Sequence, residues 1–413
     1  MFKVAPSQDD GQHNGISAQT MTEPNTASST SPLVHDRKNP FLAEITEHRS
    51  LTLPGSGKDT RHFVLSLEGS GLEYTPGDSL AVFARNPPEL VEPVLQCLAM
   101  DGEMKVKDPK GGVGRFREVL QQRYILNRAS RKILTGLAER LPEGADRERL
   151  VVMGADPAAA AEYLFTRDYL DLLEAFPAAR FETPEAFLAQ LSPVPPRLYS
   201  IASSLAAHSG EVHLCVGIVR YETHGRQRKG LCSGYLADHA PMHRKEVPVY
   251  VQESKSFRLP ADGDRDIIMV GPGTGIAPFR AFIEQRVKDG ARGRNWLIFG
   301  EQHKATDYLY GDELEAYRKQ GVLHRLDLAF SRDQDRKIYV QHRMKEEAST
   351  LWRWLQEGAY FYVCGDARRM AKDVQHTLIE IAAEEGGLSE EEAREHVEVT
   401  LMKTEKRYLR DVY

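Results

Sequence analysis

Gly271-Pro272-Gly273-Thr274-Gly275-Ile276-Ala277-Pro278 follows the apolar run Ile267 to Val270 and leads into a helical pattern from Ala277 to Lys288. The stretch reads as a buried strand, a tight turn and a helix start. Three glycines in five residues let a backbone come close to a diphosphate, and a helix N-terminus favours negative charge. The spacing is not G-x-G-x-x-G, and no Gly-Lys-Ser/Thr follows, so neither the usual dinucleotide fingerprint nor a P-loop applies. The alternative is a purely structural turn, which rarely needs so many glycines. Around it, strands at Asp266 to Val270, Asn295 to Gly300, Val322 to Phe330 and Tyr360 to Cys364 alternate with helices. The helices are expected at Ala277 to Lys288, Tyr310 to Gln320, Val340 to Gln356 and Arg368 to Glu384. This alternation predicts a doubly wound parallel α/β sheet over residues 263–413, with ligands at the carboxyl ends of its strands.

Upstream the texture differs. Phe41 to Leu53, His62 to Leu67, Ser79 to Phe83, Arg197 to Ala202, Glu211 to Arg220 and Val247 to Gln252 have the short alternating character of antiparallel strands. Between Pro87 and Leu191 the pattern is helical and rich in Ala, Leu, Glu and Arg, as in Ala158 to Phe176 and Pro184 to Leu191. The prediction is an α+β multidomain chain: an antiparallel β-barrel over 39–262, interrupted by a helical insertion at about 85–192, then the parallel domain. Residues 1–38 are polar and read as a disordered tail.

Composition bounds the function. The chain has 413 residues, 41% hydrophobic and 28% charged, with a net charge of −6. That is ordinary soluble-enzyme composition and speaks against a nucleic-acid binder. No apolar run reaches the length of a membrane span, and the N-terminus lacks the features of a targeting signal, so a cytoplasmic protein without membrane partners is expected. Cys97, Cys215, Cys232 and Cys364 form no CxxC pair, and no histidine spacing suggests a metal site.

Further stretches carry candidate chemistry. Arg197-Leu198-Tyr199-Ser200-Ile201-Ala202-Ser203-Ser204 offers a guanidinium fork for phosphate, a flat ring, and a hydroxyl beside it. A dinucleotide flavin needs those three functions, although an ordinary strand with a polar face explains the stretch as readily. Gly230-Leu231-Cys232-Ser233 opens a short helix and is by itself a weak anion signal; Tyr221 is a possible ring neighbour or simply a surface tyrosine. Ser331-Arg332 with Lys337-Ile338-Tyr339-Val340-Gln341 supplies two cations, two hydroxyls and an amide, suited to a 2′-phosphate and adenine. On spacing alone it is a solvated charged loop. Cys364-Gly365-Asp366 ends the last expected sheet strand, where cysteine is usually packing. Arg407 to Tyr413 is a terminus that frays unless its aromatic end covers something flat.

In colinear order over roughly residues 39–413, these segments resemble the reductase half of the NADPH-dependent diflavin enzymes, within the ferredoxin–NADP⁺ reductase superfamily. They are nearest the flavoproteins of assimilatory sulfite reduction. The most specific matches are Arg197 to Ser204, Val270 to Arg280 and Tyr362-Val363-Cys364-Gly365-Asp366-Ala367; Ser331 to Gln334 and Arg410-Asp411-Val412-Tyr413 add to them. The resemblance implies FAD held by Arg197 and Ser233 at the pyrophosphate and by Tyr199 on the ring. Leu198, Cys215, Val216, Gly217, Tyr221, Gly230, Leu231 and Cys232 would line the rest of the flavin site. It implies NADPH on Gly271, Gly273, Thr274 and Gly275, with Ser331, Arg332, Lys337, Ile338, Tyr339, Val340, Gln341 and Asp373 around the 2′-phosphate and adenine. Ser200, Cys364 and Asp411 would form a catalytic trio around flavin N5 and nicotinamide C4, and Tyr413 would cover the flavin's other face.

The implied reaction moves electrons from NADPH through FAD to a protein acceptor. That acceptor would be a siroheme iron–sulfur sulfite reductase subunit, or a separate flavodoxin or ferredoxin. A flavin-bearing assembly subunit without turnover is the competing class. Only 38 residues precede the barrel, too few for a flavodoxin domain, so FMN is not expected.

Overall fold

A computed structural model describes residues 35–413. The expected tail at 1–38 lies outside the described residues except for its last four, where Asp36 Oδ1 accepts from the Lys38 and Asn39 amides, each at 2.8 Å.

Six antiparallel strands form the first sheet, in the spatial order Arg197–Ser200, Ser79–Val82, Lys245–Gln252, Phe41–Ser50, Thr60–Ser66, Glu211–Gly217. A bridge between Ile201 and Leu214 links the two end strands. Alternation explains the inner face: Ala43 and Ile45, Phe63 and Leu65, Val212, Leu214 and Val216, and Val247 and Val249 share one core. The alternate residues His62, His213 and Cys215 therefore point to the opposite face, and they are buried too. Glu211 to Arg220 is not one strand; the chain leaves the sheet at Gly217 and makes a separate hairpin, Arg220–Thr223 with Arg226–Lys229.

The helical segment has its own core, from Leu90 to Leu191. The Ala158 to Phe176 pattern is two helices, Pro157–Leu164 and Tyr169–Ala175. Asp168 ends the run by capping the second, exchanging bonds with Asp171. The segment also contains an unexpected hairpin, Lys105–Asp108 with Gly112–Arg115. Its turn is closed by the Gly111 amide on the Asp108 carbonyl at 2.9 Å, with Gly111 at φ 92°, a backbone region that glycine enters freely.

The second sheet is parallel, in the order Arg325–Phe330, Asn295–Glu301, Ile267–Val270, Tyr360–Gly365, Tyr408–Val412. Its central strands are buried on both faces: Ile267 and Met269 join one core, Ile268 and Val270 another. This is why they read as continuous apolar runs. Helices Ala277–Lys288 and Gly311–Lys319 cover the first face. Helices Val340–Glu346, Ala348–Gln356 and Met370–Gly386 cover the other. The helix expected over Val340 to Gln356 is broken at Glu347, whose ψ of 24° departs from helical backbone. The C-terminal residues do not fray; Tyr408–Val412 is the fifth parallel strand. No described helix is long and apolar enough to cross a membrane.

Candidate active site

Three clefts open into one another where the two sheets meet. The first, about 790 Å³, is lined by Arg197, Tyr199, Gly217, Tyr221, Gly230, Leu231, Cys232 and Ser233. Two guanidinium groups on its wall, Arg197 and Arg128, have no carboxylate partner among the described residues. Unpaired cations in a cleft call for an anion. Gly230 is where the wall is tightest: a Cβ there would lie 2.7 Å from Ser233 Oγ and 2.9 Å from Val219 Cβ. The Ser233 hydroxyl accepts from the Val219 amide at 3.2 Å, which ties the hairpin to the short helix Leu231–Gly234. Burial pushes the Tyr199 hydroxyl well above its usual pKa, keeping the ring neutral. Cations, a neutral ring and a pinched backbone suit a diphosphate-linked flavin nucleotide.

Other expected residues lie elsewhere. Val216 packs inside the antiparallel sheet, and Leu198 is exposed. Cys215 turns its thiol into the core shared with the parallel sheet. Burial pushes Cys215 and Cys232 up to about 12 and Cys364 well above its ordinary value, so all three remain thiols. None is suited to nucleophilic work.

The second cleft, about 580 Å³, brings together Gly273, Ser331, Arg332, Lys337, Tyr339, Val340, Gln341 and Asp373. The Arg332 and Lys337 side chains have no partner among the described residues. Tyr339 is 42% exposed, leaving ring area for a base, and Gln341 Nε2 donates to Asp373 at 3.3 Å. Ile338 instead packs against the sheet core. Of the three turn glycines, two are demanded by packing. A Cβ on Gly271 would lie 2.5 Å from the Phe279 ring, and one on Gly275 would lie 2.2 Å from the Cys364 carbonyl oxygen. Gly273, at φ 59°, is the one that faces the cleft.

Gly217, Thr274, Gly365 and Tyr413 line the third cleft between these two. The Tyr413 hydroxyl is 2.9 Å from Thr274 Oγ1, and its backbone amide donates to Gly365 at 3.1 Å. Beside it the implied trio is assembled. Ser200 Oγ donates to Asp411 Oδ2 at 2.6 Å, and Cys364 Sγ lies 3.8 Å from the same oxygen. Cys364 and Asp411 are register partners on neighbouring parallel strands, whereas Ser200 comes from the antiparallel sheet.

Three features escaped the sequence. Lys58 reaches from the loop before Thr60–Ser66 to Glu301, its Nζ 2.6 and 2.8 Å from the two carboxylate oxygens, at the rim of the nucleotide cleft. Arg228 binds Asp171 at 2.6 Å and pairs with Asp168, fastening the hairpin to the helical segment; burial pushes the Asp168 carboxyl up. Arg128 gave no signal beyond its charge.

Tandem clefts, one suited to a flavin nucleotide and one to a phosphorylated adenine nucleotide, with a half-buried carboxylate and hydroxyl and a buried thiol carried beside their walls, suit a flavin- and nicotinamide-binding oxidoreductase fold. Accordingly, residues 34–235 match the family described as "FAD binding domain" and residues 269–376 the "Oxidoreductase NAD-binding domain". The chain is 46% identical over 391 residues to the "Sulfite reductase [NADPH] flavoprotein alpha-component" of Bacillus subtilis (strain 168), covering 94% of this chain and 64% of that protein. The protein of the same name from Photorhabdus laumondii is 44% identical over 379 residues, covering 92% and 62%. That of Zymomonas mobilis is 42% identical over 412 residues, covering 100% and 65%. The chain thus spans just under two-thirds of the length of these relatives. It is closely related to the sulfite reductase flavoprotein alpha-components and belongs with them to the ferredoxin–NADP⁺ reductase superfamily.

Proposed function

We infer that the chain is an NADPH-dependent FAD flavoprotein reductase. The observation that supports this best is the Ser200–Asp411 bond of 2.6 Å, which joins two different sheets through a hydroxyl next to Tyr199 of the first cleft and a carboxylate two residues before Tyr413 of the third. Bound FAD would supply the redox chemistry, accepting electrons in a pair and releasing them singly. The protein's share is binding, orientation and charge. Arg197 and Ser233, with Arg128 added from the structure, would neutralise and seat the flavin pyrophosphate, and Tyr199 would stack on the ring. Arg332 and Lys337 would select the 2′-phosphate, Tyr339 would take the adenine, and Gly273 and Thr274 would face the pyrophosphate. Asp411, held by the Ser200 hydroxyl, would offset positive charge that grows on the nicotinamide as it gives up its electrons. Tyr413, tied to Thr274, would occupy the face that nicotinamide must reach.

The same reading takes the first sheet, with its Ile201–Leu214 bridge, as a closed barrel and the parallel sheet as doubly wound. The boundaries follow near 39–262 and 263–413, in a cytoplasmic protein. The acceptor we propose is the siroheme iron–sulfur subunit of sulfite reductase, reached directly or through a separate flavodoxin; the identities of 42–46% to sulfite reductase flavoproteins support it. The test is NADPH-driven sulfide release by this chain and that subunit, with and without flavodoxin. Reduction of flavodoxin or ferredoxin with no sulfide under either condition would make the protein a general NADPH–flavodoxin or ferredoxin reductase instead.

A further inference from the structure

The outward face of strands Thr60–Ser66 and Glu211–Gly217 is buried against helices Ala277–Lys288 and Gly311–Lys319, yet its middle is polar. Arg280, its side chain 8% exposed, is the centre. Its guanidinium donates to the Ala202 carbonyl at 2.6 Å and pairs with Glu284 and Glu313, each at 2.8 Å. Glu284 also accepts from the Ser204 amide at 2.8 Å and lies 3.0 Å from His208 Nε2. Beside them the Tyr310 hydroxyl is 2.9 Å from His62 Nδ1, and the Arg280 guanidinium lies 5.3 Å from the Tyr310 ring centroid. Tyr310 holds a left-handed backbone, φ 54°, which a non-glycine residue keeps only when its surroundings fix it.

His208, Glu211 and His213 place donor atoms within 4.8 Å of one another, but this is the same network rather than a cation site. Each ring already has a carboxylate partner, at 3.0 and 3.3 Å, and the Arg280 cation lies 3.4 Å from His213 Nδ1.

The network's position gives it a role. Ala202 lies two residues beyond Ser200, on the strand end that carries the hydroxyl of the trio. Arg280 lies on the helix that starts just after the nucleotide turn, whose Gly275 packs on the Cys364 carbonyl. One buried side chain therefore ties the flavin half of the site to the nicotinamide half. Apolar contact between the two sheets is non-directional and tolerates sliding, whereas a buried guanidinium bonded to one carbonyl and paired with two carboxylates resists it. We propose that Arg280, with Tyr310 locking its flank, is a positioning residue that sets the register of the nicotinamide half-site against the flavin half-site. The proposal rests on the reductase reading above.

The test uses FAD-loaded protein carrying Arg280→Lys or Tyr310→Phe. Lysine puts its donors on a single nitrogen and cannot span the Ala202 carbonyl and both carboxylates as the planar guanidinium does, and phenylalanine loses the bond to His62 while keeping the ring. Each variant should slow anaerobic flavin reduction by NADPH about tenfold or more, since misplacement by about 1 Å costs on that scale. The nicotinamide–flavin charge-transfer band should weaken, while bound FAD and affinity for 2′,5′-ADP, which needs only the second cleft, stay at wild-type values. Hydrogen exchange should quicken at Ala202 to Ser204 and in the first turns of Ala277–Lys288. Wild-type exchange together with wild-type reduction rates would overturn the proposal. So would a slowing that merely tracks lost FAD or lost 2′,5′-ADP binding. Failure of the unmodified protein to be reduced by NADPH would instead overturn the reductase reading, leaving the exchange measurement to decide the seam.

Discussion

Replacing Arg332 by alanine isolates one electrostatic contact with little cost to the fold. The loop's backbone is held independently of that side chain: the Ser331 and Arg332 amides donate to the carbonyls of Glu301 and Gln302 at 2.8 and 2.9 Å, and Gln334 Nε2 donates to the Phe330 carbonyl at 2.7 Å. The guanidinium itself has no partner among the described residues, so its removal leaves no buried group unpaired. What is lost is a charge-assisted bond to a phosphate dianion, about 1.5–3 kcal/mol, or roughly 10- to 150-fold in affinity. Titration calorimetry with 2′,5′-ADP and steady-state KM values for NADPH and NADH would measure it. NADPH and 2′,5′-ADP should weaken by that factor and NADH hardly at all. Raising the salt concentration should shrink the difference, because an exposed site is screened within about 8 Å at physiological ionic strength. Equal weakening of NADPH and NADH, or an unfolding midpoint that drops with affinity, would refute the reasoning.

Asp411→Asn keeps the size and the bond to Ser200 but removes the charge, and should slow flavin reduction by NADPH on the order of 10²-fold while 2′,5′-ADP binds normally; stopped-flow absorbance reads both rate and amplitude. Gly275→Ala places a Cβ 2.2 Å from the Cys364 carbonyl oxygen and should destabilise the protein by about 1–3 kcal/mol, measured by denaturant unfolding of the loaded protein. Burial pushes His62 down to about 3 from 6.5; since the unfolded chain binds the proton first, stability contributed by the neutral ring is full above pH 6.5 and is lost as pH falls toward 3. His62→Gln should therefore flatten the stability–pH slope in that window by up to about 1.4 kcal/mol per pH unit, and an unchanged slope would show that the ring titrates normally.

The parallel domain was legible because its signal is local. Ile267 to Val270 is apolar throughout, the glycine turn follows at once, and helix Ala277–Lys288 begins and ends where the pattern placed it. The turn chemistry of Asp108-Pro109-Lys110-Gly111 was equally local, but was submerged in a helical composition on either side. What stayed hidden depends on contacts between distant segments. Lys58 and Glu301 are 243 residues apart in the chain, and nothing near either one announces the other. Cys215 alternates with the inward Leu214 and Val216, so its outward direction follows from the strand. Its burial there does not, because only the second sheet covers that face. Likewise Tyr408–Val412 gains its strand structure from the register of Tyr360–Gly365. On spacing alone the cations of 332 and 337 read as a solvated loop; the fold puts them beside an exposed tyrosine, with no carboxylate paired to either among the described residues.

In the proposed reaction NADPH in the second cleft passes electrons to FAD in the first, close to the Ser200–Asp411 bond. Anaerobic stopped-flow absorbance on the purified, FAD-loaded chain tests it most directly. NADPH should bleach the flavin band rapidly and NADH only slowly, with dithionite giving the same final bleaching. A flavin that dithionite reduces but NADPH leaves oxidised would contradict it.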